Sequence, residues 1–373
     1  MRIGYDAKRI YHNTTGLGNY SRDLVRVLST YYPSNTYWLY NPKPGKVTRL
    51  QADGKLVKEV LPQSFIAKKL HAIWRSKWMV KQLKKDKIEI YHGLTGELPI
   101  GIEKTNIKTV VTIHDLIFVR YPELYKAFDR KIYFKKFKHA AETADVVVAI
   151  TEQTKEDIID FLKIDPKKIQ VIYQGCHNIF KEDIPADSQD DVFEKYSIPT
   201  DYILNVGSVN ERKNVLSLVK AVAKTGDNLV IVGSGTEYYK KVTDYVVKMN
   251  LSNQIYFLSG LNMQEIATLY RNAKLFVYPS IFEGFGIPII EALYSKTPVI
   301  TTNGSCFPEA GGPSSYYLND PYDITELEKA ITHILSDKSL QETMIAKGYT
   351  FVQKFNDVVI ANNWNTLYNR LSQ

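Results

Sequence analysis

Glu283 and Glu291 are separated by seven residues in the segment Ser280-Ile-Phe-Glu-Gly-Phe-Gly-Ile-Pro-Ile-Ile-Glu-Ala-Leu293. Two acids so placed could work together on one bond or hold two parts of one ligand. A continuous helix would set them roughly 12 Å apart along its axis. Glycoside hydrolysis needs about 5 to 9.5 Å between its two acids. A hydrolytic pair is therefore disfavoured, and two polar anchors on one long ligand fit better. The plain alternative is a capped surface helix with two solvated acids. The surrounding elements are readable. Residues 275–278 form a β-branched and aromatic run typical of a buried strand. Gly284 and Gly286 let a backbone approach a ligand closely. Pro288 suits the first turn of a helix whose apolar face is Ile289, Ile290 and Leu293. Glu283 is thus expected in the strand-to-helix loop, at the carboxyl end of a strand where open α/β sheets bind ligands, and Glu291 about one turn into the helix.

A second constellation is Arg212 and Lys213, after an expected strand at 202–206 and before a helix from about Val215. Two cations beside a helix N-terminus make an anion site, because unpaired N–H groups and the helix dipole add to the side-chain charge. A nucleoside diphosphate needs that neutralisation; two solvated loop charges are the alternative. His114 ends a β-rich run at 109–113, where crevice residues sit, although a lone histidine there is more often structural. Asp115 could cap the next turn or orient the ring. His92 follows an equivalent strand with weaker support. Gly16 and Gly18 mark the first strand-to-helix turn and read as lining an inter-domain cleft, whereas Gly233 and Gly235 read as a tight turn. A dinucleotide fingerprint needs a third glycine three residues on. Ser21 and Tyr238 stand there instead, which disfavours a nicotinamide or flavin site.

Together these segments resemble retaining nucleotide-sugar glycosyltransferases of the GT-B architecture, glycosyltransferase family 4 in particular. The likeness spans most of the chain. Glu283 to Glu291 resembles the family's Glu-x7-Glu motif. Met1-Arg-Ile-Gly-Tyr-Asp6 with Gly16-Leu-Gly-Asn-Tyr-Ser-Arg22 resembles its first strand and glycine loop. Thr112-Ile-His-Asp-Leu116 looks like its segment ending in an active-site histidine, and Val206-Gly-Ser-Val-Asn-Glu-Arg-Lys-Asn214 like its diphosphate loop. The resemblance implies two Rossmann-like doubly wound domains facing across a cleft, the first taking the acceptor and the second the nucleotide-sugar. It implies that Glu283 contacts the donor sugar, Glu291 the ribose, and that N–H groups of Gly284, Phe285 and Gly286 hold sugar and diphosphate. Phe285 could equally be core. His114 would lie beside the transferred sugar, and Gly207, Ser208, Arg212 and Lys213 would surround the diphosphate. Some relatives carry a basic residue directly after the loop glycine; Ser208 stands here, so Arg212 is expected to supply the second charge. The sequence has no Asp-x-Asp, and the resemblance implies basic side chains in place of a metal, with no cofactor.

The expected reaction is transfer of a hexose to an acceptor hydroxyl with retention. Mannose from GDP-mannose is favoured because Glu283-Gly-Phe-Gly-Ile-Pro288 and Phe307-Pro-Glu-Ala310 look like bacterial mannosyltransferases; UDP-linked donors stay open. A polysaccharide or lipid-linked oligosaccharide is the expected acceptor. The rival readings are a GT-B nucleotide-sugar epimerase and a non-enzymatic basic protein binding membrane or RNA.

The wider sequence sets bounds. In 373 residues, 44% are hydrophobic and 24% charged, an ordinary globular composition. No run of about 18 apolar residues exists for a membrane-spanning helix, and the N-terminus lacks the apolar region of a signal peptide. Two cysteines are too few for a disulfide framework or zinc site, so cytoplasm is the expected compartment. Residues 1–180 carry a net charge of +13 and the remainder −5, which suggests domains with different partners. The basic and apolar segments 65–87 and 130–138 could lie on the cytoplasmic face of an anionic membrane; a helix with its apolar side in the core is the alternative. No zinc-finger or RNA-recognition signature accompanies them, and nucleic acid is not expected. Strands are expected at 2–5, 36–40, 89–92, 109–113, 146–150 and 170–173, then at 202–206, 228–232, 255–258, 275–278 and 298–301. Helices fall between, for example at 18–29 and 151–162. An acidic linker at 181–191 would divide an acceptor-binding domain, 1–185, from a nucleotide-sugar domain, 186–356. By the resemblance, a last helix at 357–373 packs back on the first domain.

Overall fold

The computed structural model of the chain describes residues 1–45, 50, 54–182, 190–235 and 237–373. It divides into two compact units, Met1–Gly175 with Phe355–Gln373, and Cys176–Lys354. Most of the acidic linker expected at 181–191 lies outside the described residues.

Unit 1 holds strands β1 (Arg2–Asp6), β2 (Thr36–Tyr40), β3 (Val57–Val60), β4 (Ile90–Gly93), β5 (Lys108–Ile113), β6 (Val146–Ala149) and β7 (Ile169–Val171). They form one sheet in the order β3-β2-β1-β4-β5-β6-β7. Unit 2 holds β8 (Ile203–Val206), β9 (Leu229–Val232), β10 (Ile255–Leu258), β11 (Leu275–Tyr278), β12 (Val299–Thr302) and β13 (Tyr316–Leu318), in the order β10-β9-β8-β11-β12-β13. Every recorded pairing is parallel. Each order reverses once, between β1 and β4 and between β8 and β11, as in a doubly wound Rossmann-like unit. The fold is α/β and of the GT-B class.

The central strands are buried along their length because helices cover both faces of a parallel sheet. Val-Val-Val-Ala in β6, Leu-Val-Ile-Val in β9 and Leu-Phe-Val-Tyr in β11 expose no residue. Two strands escaped the sequence reading. They are β3 and β13, each at a sheet edge, where Val-Lys-Glu-Val and Tyr-Tyr-Leu offer no continuous apolar run.

The basic segment 65–87 is not one amphipathic helix. It runs as helix Phe65–Lys69, a short helix His71–Ile73, a π-turn Trp74–Trp78 and helix Met79–Lys85. Trp74 and Met79 are five residues apart, which α-helical spacing would place on different faces; the i→i+5 turn lets both enter the core with Val80 and Leu83. Phe65 and Ile66 stay 80% and 61% exposed. The last helix, Asp357–Ser372, belongs to unit 1 and buries Trp364, Leu367 and Tyr368 there. Asp357 pairs with Arg26 at 2.8 Å. Among the described residues no helix is long and apolar enough to cross a membrane.

Candidate functional site

In unit 2 the loop after β8 begins at Gly207, whose φ of +144° suits glycine. Asn210 then accepts from the Lys213 N–H at 3.2 Å and closes a short 3-10 turn, Glu211–Lys213. A neighbouring loop steadies it: Val209 N–H donates to the Ser234 carbonyl at 2.9 Å. A Cβ on Gly233 would lie 1.9 Å from the Gly207 carbonyl oxygen, and one on Gly235 2.1 Å from that of Val209. Those two glycines serve a backbone-to-backbone contact, rather than the tight turn their spacing suggested. Ser208 is exposed and its hydroxyl accepts from Asn210 Nδ2 at 3.0 Å.

The second contribution comes after β11. Ser280 to Gly286 make a loop, and Gly286, at φ +102°, caps helix Ile287–Tyr294. The Phe285 side chain is in the core. Glu283 meets both cations through one oxygen, Lys213 Nζ at 2.5 Å and Arg212 Nη1 at 2.6 Å from Oε1. The hydroxyls of Ser280 and Tyr278 donate to the same oxygen at 2.7 and 3.1 Å. Lys213 also donates to the Tyr278 hydroxyl, and Arg212 to the Phe282 carbonyl. Ser305 and Cys306, in the loop after β12, donate to the Glu283 carbonyl at 3.3 and 3.2 Å. The cluster therefore sits at the carboxyl ends of β8 and β11, where the strand order reverses.

Its electrostatics follow from burial and neighbours. Burial alone would raise the Glu283 carboxyl, but Lys213 and Arg212 outweigh it and bring its pKa down to about 2. Burial pushes Lys213 below the usual lysine range, against the pull of Glu283. Glu291 is in the opposite state. Burial pushes its pKa up to about 7, although the Tyr270 hydroxyl donates to Oε2 at 3.0 Å and opposes the rise. One acid is fixed as an anion and the other is poised near neutrality, the divergence that marks different roles.

The remaining candidates lie in unit 1. His114 follows β5 and donates from Nε2 to the Leu94 carbonyl at 2.9 Å. The edge of Tyr20 packs on it with ring centres 4.5 Å apart. Burial lowers its pKa to about 4, so the ring is neutral with Nδ1 as an acceptor. Asp115 accepts from the Ile117 N–H at 3.1 Å and so caps the next turn. His92 is fully buried inside β4, with its nitrogens on Thr112 Oγ1 at 2.7 Å and the Tyr368 hydroxyl at 2.8 Å; its part is structural. Gly16 opens helix Gly16–Tyr31 in open space. A Cβ on Gly18 would lie 2.1 Å from the Asn13 carbonyl oxygen, so the chain's own approach requires that glycine.

The structure thus brings Arg212, Lys213 and Glu283 into direct contact, puts Glu291 on the following helix, and places His114, Gly16 and Gly18 in the other unit. Sequence reasoning missed Tyr278, Ser280, Asn210, Ser305 and Cys306. Tyr278 was hidden as the last residue of an apolar run, its hydroxyl reaching past the strand end. Ser305 and Cys306 had no local signal, since they act on Glu283 across the sheet.

Comparisons with known proteins identify the family and the fold. Residues 188–351 match the model of the family "Glycosyl transferases group 1" and residues 16–177 that of "Glycosyltransferase Family 4". The chain is 26% identical over 375 residues to O-antigen chain mannosyltransferase B of Escherichia coli, covering 95% of this chain and 96% of that one. It is 32% identical over 227 residues to O-antigen chain mannosyltransferase RfbU of Salmonella typhimurium, covering 60% of each. Among solved structures it resembles a sucrose-phosphate synthase from Thermosynechococcus elongatus, with a TM-score of 0.81, 21% identity and coverage of 99% and 98%.

Proposed function

Because the chain belongs to the family-4-like glycosyltransferases of the GT-B architecture and is a hexosyltransferase of polysaccharide synthesis, we propose that it transfers mannose from GDP-mannose to an acceptor hydroxyl with retention. The observation that carries this reading is the Glu283 carboxylate held between Arg212 and Lys213 at the carboxyl ends of β8 and β11. The mannosyltransferase relatives favour the sugar.

In this reading Arg212 and Lys213 neutralise the departing diphosphate and make a divalent metal unnecessary. Gly207 and Ser208 line the diphosphate. Glu283, released from its two cations as the diphosphate takes them, accepts from hydroxyls of the donor sugar. The N–H groups of Gly284, Phe285 and Gly286 hold sugar and diphosphate, and Glu291 takes the ribose. His114, with Gly16 and Gly18, serves the transferred sugar. No protein nucleophile is needed when attack comes from the leaving-group face. The acceptor hydroxyl then loses its proton to the departing diphosphate as the new glycosidic bond forms.

The test is a thermal-shift panel of GDP-, UDP- and ADP-sugars with EDTA present. A ligand at a hundred times its dissociation constant stabilises by about 2.7 kcal/mol. GDP-mannose is expected to stabilise without metal, and its α-mannosyl product to keep the α configuration by NMR. Stabilisation by UDP-sugars alone would replace the donor, a shift that needs magnesium would end metal independence, and a β-linked product would end retention.

A further inference from the structure

The Glu283 side chain is only 12% exposed, and its charge is balanced by Lys213 and Arg212 at 2.5 and 2.6 Å from Oε1. A diphosphate that draws both cations to itself leaves this carboxylate without a counter-charge. Groups in that state commonly take up a proton. A protonated carboxyl has less capacity to accept from sugar hydroxyls, so the site needs something that holds the charge after the cations have turned to the diphosphate. Two hydroxyls are placed for it. Tyr278, the last residue of β11, donates to Oε1 at 3.1 Å, and Ser280, two residues on, donates to the same oxygen at 2.7 Å. Ser280 also has the carbonyls of Arg212 and Phe282 within reach, at 3.1 and 3.5 Å, but the carboxylate is its nearest acceptor. Neither hydroxyl carries charge, so an arriving diphosphate competes for them less than for the cations.

Both hydroxyls are fixed by their surroundings. The Tyr278 ring is 2% exposed, stacked on Phe276 with centres 5.8 Å apart and met edge-on by Phe307 at 6.4 Å. The Tyr278 carbonyl accepts from Thr301 Oγ1 at 2.9 Å. Ser280 is fully buried, and the Ile281 N–H beside it donates to the Arg212 carbonyl at 2.8 Å. The Tyr278 hydroxyl also accepts from Lys213, whose Nζ lies 4.6 Å from the ring centre. Tyrosine thus touches both members of the ion pair, and it stays with the acid when the lysine moves. A phenylalanine would fill the same core; only the ion pair has a use for the hydroxyl.

We propose that Tyr278 and Ser280 are positioning residues of the transfer, whose hydroxyls keep Glu283 ionised and aimed at the donor sugar once the diphosphate has taken Arg212 and Lys213. The proposal rests on the transferase reading for the role of Glu283, and on the geometry alone for the two hydroxyls. Tyr278→Phe, Ser280→Ala and the double variant test it, by sugar transfer from GDP-mannose and by calorimetric binding of GDP. GDP should bind every variant as tightly as the parent, because it engages the cations, and that binding also shows the variants to be folded. Turnover should fall about tenfold in each single variant, the loss expected of one hydrogen bond to a charged group, and further in the double. The groups facing Glu283 are Lys213 and Arg212 from the 3-10 turn, Tyr278 from β11, Ser280 from its own loop and Cys306 from the loop after β12. Both cations and Cys306 are common to parent and variants, so a difference between their pH profiles reports the hydroxyls. The fall of turnover on the acid side should begin about one pH unit higher in the double variant, since a less supported Glu283 takes up its proton sooner. Loss of GDP affinity in step with turnover would reduce the hydroxyls to packing and overturn the proposal. Turnover and acid limb equal to those of the parent would overturn it as well. Failure of the parent itself to bind any nucleotide would instead sink the transferase reading, and this proposal with it.

Discussion

Glu283 is ionised in surroundings that would ordinarily neutralise it, and Glu291 is driven toward neutrality, although both are glutamates on one short segment. Burial raises both; two cations overcome it at the first, and at the second a single tyrosine hydroxyl opposes it without overcoming it. The residue types and their spacing were legible in the sequence; this electrostatic contrast was not, because Lys213 and Tyr270 reach the acids only through the folded sheet. Glu291 gives a pH prediction. Its folded pKa of about 7 lies above the ordinary 4.5, so the folded chain keeps a proton that the unfolded chain releases. Stability from this group is complete below about pH 4.5 and is lost as pH rises through about 7. Glu291→Gln should therefore match the parent at low pH and exceed it at pH 8, by at most about 3 kcal/mol. A ribose hydroxyl favours the carboxylate as acceptor, so GDP affinity of the parent should rise with pH toward 7 and flatten, and that of Glu291→Gln should be weaker and flat. Melting curves and titrations from pH 5 to 8 check both; identical pH slopes in parent and variant would refute the assignment.

At the scale of elements, the strands that carry the site were readable because they are central. A strand covered on both faces must be largely apolar, and β8, β9, β11 and β12 announce themselves. The edge strands β3 and β13 are half-solvated and stay silent. The basic segment 65–87 misled the helix reading for a related reason, since its π-turn breaks the periodicity on which that reading depends. The loops between strands were legible mainly by their glycines, and here two kinds must be separated. Gly16 has open space where its Cβ would be, whereas Gly233 has the Gly207 carbonyl oxygen at 1.9 Å. Gly233→Ala must push back the loop that presents Arg212 and Lys213. It should cost about 3 kcal/mol of stability and weaken nucleotide binding, although Gly233 is assigned no contact with the ligand. Gly16→Ala should change melting by little. If Gly233→Ala bound nucleotide as the parent does, the approach of the two loops would be irrelevant to the site.

For the whole molecule, the repetition of strand and helix in two halves made the fold class legible, and four motifs in order made the family legible. Placement of the last helix in unit 1 was implied by that resemblance and not by its own sequence, because an amphipathic helix does not say which surface it covers. In the structure Trp364, Leu367 and Tyr368 are buried in the core of unit 1, and Tyr368 meets both His92 and Tyr5. Three large side chains at about 1.5–3 kcal/mol each amount to a large part of the roughly 5–15 kcal/mol that holds a domain together. Unit 2 keeps its own sheet and core without them. A chain ended at Phe355 should therefore lose the ordered structure of unit 1 while unit 2 still binds nucleotide through Arg212, Lys213 and Glu291. Limited proteolysis with and without GDP reads this directly: fragments of unit 1 should disappear and a fragment near 176–354 should survive, protected by the nucleotide. Equal resistance of unit 1 in the shortened and full chains would mean that the helix covers that core without holding it, and that the sheet order alone carries its stability.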